Sequence, residues 1–216
     1  MLDHYIYNIL TTGLFMTHHS SVPQGDYPMF RFIKQFIKPE KKILDIGCGN
    51  ASFISLFIIS KEKYVGIEKD KEKCAEAKKK GYPVLCADIE LLSPQEIHSR
   101  FDVILAKDII EHCSKPEQIM QYIHTHLNTT GSVFISVPSE LSLLIWDDYT
   151  HQRGFSQRAL SELLEDTGFK LIRFEKDHSL INFKAAPSRY LSLLLFKKIT
   201  KLDFITQGYL IHAKKK

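Results

Sequence analysis

The sequence predicts an α/β protein: a doubly wound, mostly parallel sheet of seven strands with an antiparallel last strand. Three observations predict it. Short apolar runs alternate with helix-length segments between residues 42 and 137, and such alternation builds a parallel sheet with helices on both faces. The first strand-like run leads directly into a glycine pair, in KKILDIGCGNASF, residues 41–53. After residue 156 the rhythm breaks, and two late strands follow without a crossover helix of the usual kind. That pattern suits an antiparallel pair at one sheet edge.

DYPMFRFIKQFI (26–37) reads as a helix with Phe30, Ile33, Phe36 and Ile37 on one face. KILDI (42–46) is the first strand. ASFISLFIIS (51–60) follows as a helix that is apolar almost all round, as burial against a sheet requires. YVGIE (64–68) is the second strand, and DKEKCAEAKKK (70–80) is a helix with Asp70 as N-cap and Gly81 as its C′ stop. PVLCAD (83–88) is the third strand. Ser93-Pro94-Gln95-Glu96 reads as a capping box with proline just inside the helix. FDVILA (101–106) is the fourth strand, and Ser114-Lys115-Pro116-Glu117 caps the helix PEQIMQYIHTHL (116–127) in the same way. SVFISV (132–137) is the fifth strand. SQRALSELLEDTGF (156–169) is an amphipathic helix from N-cap Ser156 to Gly168, and FKLIRFEKDHSL follows as a strand. The segment 179–207 is irregular, and GYLIHA (208–213) is the last strand.

Composition narrows the class. The 216 residues can fill one core, and a charged fraction of 25% is ordinary for a soluble protein. A net charge of +4 permits an anionic partner without predicting one. The four cysteines, Cys48, Cys74, Cys86 and Cys113, show no CxxC pair and no zinc spacing. Embedded in apolar patterns, they read as reduced core residues of a cytoplasmic protein. The first residues lack the basic region of a signal peptide, and no apolar run is long enough to span a bilayer.

The glycine pair carries the chemistry. A parallel strand delivers its last residue to the crevice where ligands bind. Glycines there let the backbone approach a ligand closely, and a following helix offers free N–H groups. Gly47-Cys48-Gly49-Asn50-Ala51-Ser52 has two glycines of a dinucleotide fingerprint, with Ser52 in the third place. Asp45 precedes them, Glu68 ends the next strand, and Asp88 ends the third. A carboxylate about twenty residues past the glycines can hold ribose hydroxyls.

On these residues the chain resembles the class I S-adenosylmethionine-dependent methyltransferases, which have a Rossmann-like fold, over about residues 40–178 and the final strand. The resemblance implies that Asp45, Gly47, Cys48 and Gly49 lie against the amino-acid part of S-adenosylmethionine. Glu68, with Lys69 beside it, takes both ribose hydroxyls, and Asp88 with Ile89 contacts the adenine. Ala106 and Lys107 face the methionine end. The cofactor has no phosphate, so its hydroxyls and ammonium need acceptors, which carboxylates supply.

KDIIEHC (107–113) follows the fourth strand, and HQRGFS (151–156) precedes a later helix. Their order resembles the ubiquinone-biosynthesis O-methyltransferases. It also resembles the small-RNA 2′-O-methyltransferases, in which an E-x-x-E-H motif and a later histidine hold a divalent metal; here Asp108 stands in place of the first glutamate. Glu111, His112 and His151 are the candidate catalytic residues. Two carboxylates and two histidines suit magnesium, manganese or zinc. His112 or His151 can instead act as a general base toward a hydroxyl, worth typically 10²–10⁴ in rate. The bland alternative has Glu111 and His112 shaping the pocket wall.

A single methyltransferase domain is expected, with a helical lid (1–38), a core (39–178 and 208–216) and a cap insert (179–207). The acceptor is expected to be a small or lipid-like molecule with an oxygen nucleophile. The insert's Tyr190, Leu193 to Phe196, Arg189, Lys197, Lys198 and Lys201 can line it or touch a membrane surface. Trp146 reads as a core or cap residue. Alternatives are a metal-dependent RNA methyltransferase, against which the scattered basic residues speak, and a cofactor-binding module without turnover. A nicotinamide-dependent dehydrogenase fits less well, given the missing third glycine and the antiparallel final strand.

Overall fold

In the computed structural model, which describes residues 26–142, 145–178, 187–200 and 206–216, the strands form one seven-stranded sheet of order β3-β2-β1-β4-β5-β7-β6. These are β1 (Ile43–Ile46), β2 (Tyr64–Glu68), β3 (Val84–Cys86), β4 (Phe101–Lys107), β5 (Leu127–Pro138), β6 (Phe169–Asp177) and β7 (Gly208–Lys215). β1 to β5 pair in parallel, and β7 runs antiparallel to both β5 and β6. The helices are α1 (Tyr27–Ile33), α2 (Lys71–Lys79), α3 (Pro116–His126), α4 (Gln157–Asp166) and α5 (Pro187–Thr200).

Alternate strand residues face opposite layers. Leu44, Ile46, Ile104, Val133 and Ile135 join α3 and α4 in one core. Ile43, Tyr64, Val103, Leu105 and Phe134 meet α1 and α2 in the other. β1 is therefore buried at every position, as expected of a strand covered on both faces. Among the described residues, no helix is long and apolar enough to cross a membrane.

Most expected caps form. Asp70 accepts hydrogen bonds from the amides of Glu72 and Lys73, and Ser156 from that of Ala159. Ser93 and Glu96 form the capping box.

Several expectations are corrected. Residues 51–60 contain only a 3₁₀ turn at Ile54–Leu56. Ala51 enters it in the left-handed region at φ 60°, and Ser55 turns its hydroxyl onto the Ser52 carbonyl. β-branched Ile54, Ile58 and Ile59 also resist helix, and Ile58 is exposed. Ser114 does not cap α3, whose N-cap is Lys115, because its hydroxyl donates to Glu90. α1 buries Met29, Phe32 and Ile33, while Phe30 is only partly covered and packs on Phe57. The segment 179–207 is not irregular throughout, since α5 occupies 187–200. Finally, Cys74 and Cys86 form a disulfide, their Cα atoms 5.9 Å apart. Cys74 lies on the buried face of α2 and Cys86 at the end of β3, so the fold brings together two residues with no telltale spacing. Cys48 and Cys113 are free and buried.

Expectations about residues 1–25 and about Arg189, Tyr190, Leu193, Phe196 and Lys201 concern side chains outside the described residues. In α5, Leu194, Leu195 and Ile199 are exposed. Trp146 is 69% exposed, so the expected core role is overturned.

Candidate functional site: two adjoining chambers at the strand ends

The carboxyl ends of β1, β2 and β4 meet beside the loop that follows β3. Gly47 turns the chain at φ 72°, and its amide and that of Cys48 both donate to the Ile67 carbonyl, at 2.8 and 3.1 Å. A Cβ on Gly47 would lie 1.9 Å from Ile109 Cδ1. Glycine is thus required there both by the left-handed backbone and by the close approach of the β4 loop. At φ 56°, Gly49 points its amide at Glu68 Oε2, 2.8 Å away. Glu68 Oε1 accepts the Asp70 amide, also at 2.8 Å. Two backbone donors therefore fix the carboxylate at the mouth of β2.

A cavity of about 340 Å³ opens between these elements. Of the expected cofactor residues, Gly47, Gly49, Glu68 and Lys69 line it on one side. Asp88, Ile89 and Lys107 line it elsewhere. Asp88 shapes its own loop by accepting the Glu90 amide at 3.0 Å. Asp45 and Cys48 are buried and do not line the cavity. Asp45 accepts from the Tyr64 hydroxyl at 3.1 Å, and burial pushes its carboxyl up to about 7. Burial, aided by the Asp45 charge, pushes the Cys48 thiol up to about 12.

Lys107 makes ion pairs with Asp26 at 3.2 Å and Asp108 at 3.0 Å. Burial pulls its ammonium down, but the two carboxylates outweigh that and hold it above the ordinary lysine range. Asp108 adopts φ 52° and accepts from Ser136 Oγ at 2.7 Å. A non-glycine residue in this region is uncommon and marks a constrained turn.

A second chamber of about 370 Å³ adjoins the first and shares Asp108, His112 and Asp148 with it. Glu111, His112 and His151 all line this second chamber, and one ligand atom from each lies within 4.8 Å of the others. The Glu111 side chain is fully buried, and neither carboxylate oxygen has a hydrogen-bond partner among the described residues. Burial, with the Asp108 charge adding to it, pushes this carboxyl up to about 9. The His112 and His151 rings lie 4.6 Å apart. His151 Nδ1 faces the Ile145 carbonyl, so that nitrogen carries the proton. Thr150 Oγ1 donates to Asp148 and is 2.9 Å from His112 Nδ1, which therefore donates to it. Both rings keep the Nε2 lone pair available. Burial and the neighbouring His151 lower the His112 pKa, so its neutral form predominates near pH 7.

Sequence reasoning missed Asp26, Glu90, Asp148 and Thr150. Glu90 Oε1 accepts from the Ser114 amide at 2.8 Å and so ties the β3 loop to the β4 loop. Asp148 and Thr150 sit within three residues of His151, and that proximity was the available signal. Asp26 had none, because its contact with Lys107 spans most of the sheet in sequence.

Comparison with known proteins agrees with this architecture. The methyltransferase-domain family matches residues 22–173. (S)-coclaurine N-methyltransferase of Papaver somniferum is 31% identical over 109 residues, 46% of this chain and 30% of that protein. The mitochondrial ubiquinone biosynthesis O-methyltransferase of Saccharomyces cerevisiae is 24% identical over 115 residues, 50% of this chain and 37% of that protein. The chain thus spans well under half the length of these curated relatives. The crystal structure of a SAM-dependent methyltransferase from Archaeoglobus fulgidus superposes with a TM-score of 0.65 at 20% identity, covering 98% of this chain and 99% of that one. With the family's domain matching 22–173 and the superposition covering 98% of its residues, this chain belongs to the methyltransferase-domain family and has the class I S-adenosylmethionine-dependent methyltransferase fold.

Proposed function

We propose that the chain catalyses S-adenosylmethionine-dependent methyl transfer to a hydroxyl oxygen of a small molecule. The observation that carries this reading is Glu68, held by the Gly49 and Asp70 amides at the edge of a cavity sized for a nucleoside. The residues fit the cofactor. Each Glu68 oxygen already accepts one backbone proton and retains a lone pair for a ribose hydroxyl. Asp88 and Ile89 border the same cavity where the adenine would lie, and Gly47 leaves room for the Ile109 side chain that packs over it and lines the cavity. Asp45, buried on Tyr64, supports the turn from behind and does not line the cavity itself.

When bound, the cofactor supplies a methyl group already activated by its sulfonium. The chain's own work is then to hold the acceptor in line, and proximity and orientation can supply roughly 7–11 kcal/mol. Nε2 of His112 or His151 is free to accept the hydroxyl proton, and each Nδ1–H is anchored by Thr150 or the Ile145 carbonyl. Such anchoring fixes the tautomer that a general base needs. The test is transfer of label from S-adenosylmethionine to a fractionated extract. Replacing His112 or His151 by alanine should slow turnover by about 10²–10⁴, and in the His151 variant, whose side chain lines only the second chamber, cofactor affinity should hold. Loss of affinity with unchanged turnover would refute the base assignment.

One observation favours a second reading of the same trio. Glu111 is buried with two unpartnered oxygens beside two available imidazole nitrogens, a donor set suited to a divalent ion. Glu111, His112 and His151 would hold it, and the ion would lower the pKa of an acceptor hydroxyl. Turnover that survives exhaustive chelation removes this reading and leaves the base.

A further inference from the structure

The first chamber is bordered by a covalent tie that methyl transfer does not use. Cys74 and Cys86 are joined, with their Cα atoms 5.9 Å apart. Lys73 precedes Cys74, while Ala87, Asp88 and Ile89 follow Cys86, and all four of these neighbours line the cavity. Little else fixes the end of β3. That strand is three residues long, lies at the sheet edge and pairs with β2 alone. Just beyond it, the Ala87 amide donates to the Glu68 carbonyl at 2.9 Å. The next anchor is Glu90, whose carboxylate accepts from Ser114. The wall assigned to the adenine is therefore strung between the disulfide and Glu90. The two sulfurs also differ in access. Cys74 is fully buried on α2, whereas Cys86 is exposed. Exposed disulfides are the labile and regulatory ones.

Resting on the reading of this cavity as the S-adenosylmethionine site, we propose that the Cys74–Cys86 pair is a reversible thiol–disulfide modification site that sets cofactor affinity, high when the bond is closed and lower when a dithiol opens it. A thiolate of the dithiol attacks the exposed Cys86 sulfur and forms a mixed disulfide there. The bond to Cys74 breaks, and Cys74 leaves with the electron pair and takes up a proton. The second thiol of the reductant then displaces Cys86, which is released as a thiol. Two electrons pass from the dithiol, which ends as a cyclic disulfide, and both cysteines end reduced. Cys74 keeps its place in the core with Ala77, Tyr82 and Val84. Thus α2 stays packed, while the end of β3 and the residues after it gain freedom. A ligand must then order that wall on binding, which lowers affinity. Cys48 and Cys113 are free and buried, and they take no part in the exchange.

The experiment uses the full chain with S-adenosylhomocysteine as the probe. Thiol titration of the denatured protein should count two thiols after treatment with glutathione disulfide and four after dithiothreitol. Calorimetry should show the reduced protein binding the probe about three- to tenfold more weakly than the oxidised one. Reoxidation with glutathione disulfide should restore the affinity. Cys86→Ser, a change at an exposed position, should bind as weakly as the reduced protein and ignore reductant. Circular dichroism is recorded on the variant and on both redox forms. Loss of the native spectrum on reduction makes the bond a structural clamp and overturns the switch. Four thiols after glutathione disulfide, equal affinities of the two forms, or a Cys86→Ser protein that still responds to dithiothreitol also overturn it. Failure of the oxidised protein to bind the probe strikes the cavity reading and the switch with it, whereas binding indifferent to the bond strikes the switch alone.

Discussion

Glu68 is oriented before any ligand arrives, because the amides of Gly49 and Asp70 hold its two oxygens at 2.8 Å each. A ligand hydroxyl meeting a carboxylate so fixed loses little to side-chain ordering, and a hydrogen bond to a charged group contributes about 1.5–3 kcal/mol. Glu68→Ala should therefore weaken S-adenosylmethionine binding about tenfold or more, whereas Glu68→Gln, keeping one acceptor, should lose less. Titration calorimetry checks both, and an unchanged affinity in the alanine variant would remove Glu68 from the site. Asp45 leads to a different measurement. Its folded pKa, about 7, lies above the ordinary 3.8 because burial disfavours the charge. The folded state thus keeps a proton that the unfolded chain releases, so this contribution to stability is full below about pH 4 and is lost as pH rises through 7. Urea unfolding of the ligand-free protein should show stability declining over that window. Asp45→Asn should flatten the decline, and an identical slope in the variant would contradict the assignment.

At the level of elements, the disulfide between α2 and β3 stands closest to the site, since Cys86 is paired in register with Glu68 and lies two residues before Asp88. It closes a short loop with a sequence separation of 12. Loops of that length gain about 3 kcal/mol from cross-linking in the chain-entropy picture. Reduction with dithiothreitol, or Cys86→Ser, should lower unfolding stability by about 2–4 kcal/mol, and a chevron or urea titration unchanged by reductant would deny the bond a structural role. The pairing also shows where sequence reading ends. The strands were readable because β-branched runs mark them, and YVGIE spans the observed β2 end to end. Asp70, Ser93 and Ser156 were readable because capping is local. The disulfide was not, since residues 74 and 86 meet only once α2 has folded back on β3. Nor was the 3₁₀ turn at Ile54–Leu56, where serine hydroxyls and left-handed Gly49 and Ala51 outweigh an apolar pattern that suits a helix equally well. In the site, Glu68 and the Glu111–His112 pair were visible as strand-end chemistry. Asp148 joins them only through the fold of the loop before His151.

Taken as a whole, the molecule builds its first chamber from segments far apart in sequence: the turn after β1, the end of β2, the loops after β3 and β4, and the loop at Asp148 and Thr150. None of these segments can bind a nucleoside alone, so occupancy must favour the assembled state over the unfolded one. A ligand at one hundred times its dissociation constant stabilises by about 2.7 kcal/mol. For a chain of this size each kcal/mol is worth about 2–4 °C in Tm, so S-adenosylhomocysteine at that excess should raise the melting temperature by about 5–10 °C. The same concentration offered to Glu68→Ala, if its affinity is tenfold weaker, leaves only about half that stabilisation. The ratio of the two shifts thus measures the Glu68 contribution without any acceptor being known. A wild-type protein whose melting point ignores the ligand would mean that these walls do not form a nucleoside site. Equal shifts in the two proteins would mean that the nucleoside is held by the other walls and Glu68 only shapes the turn.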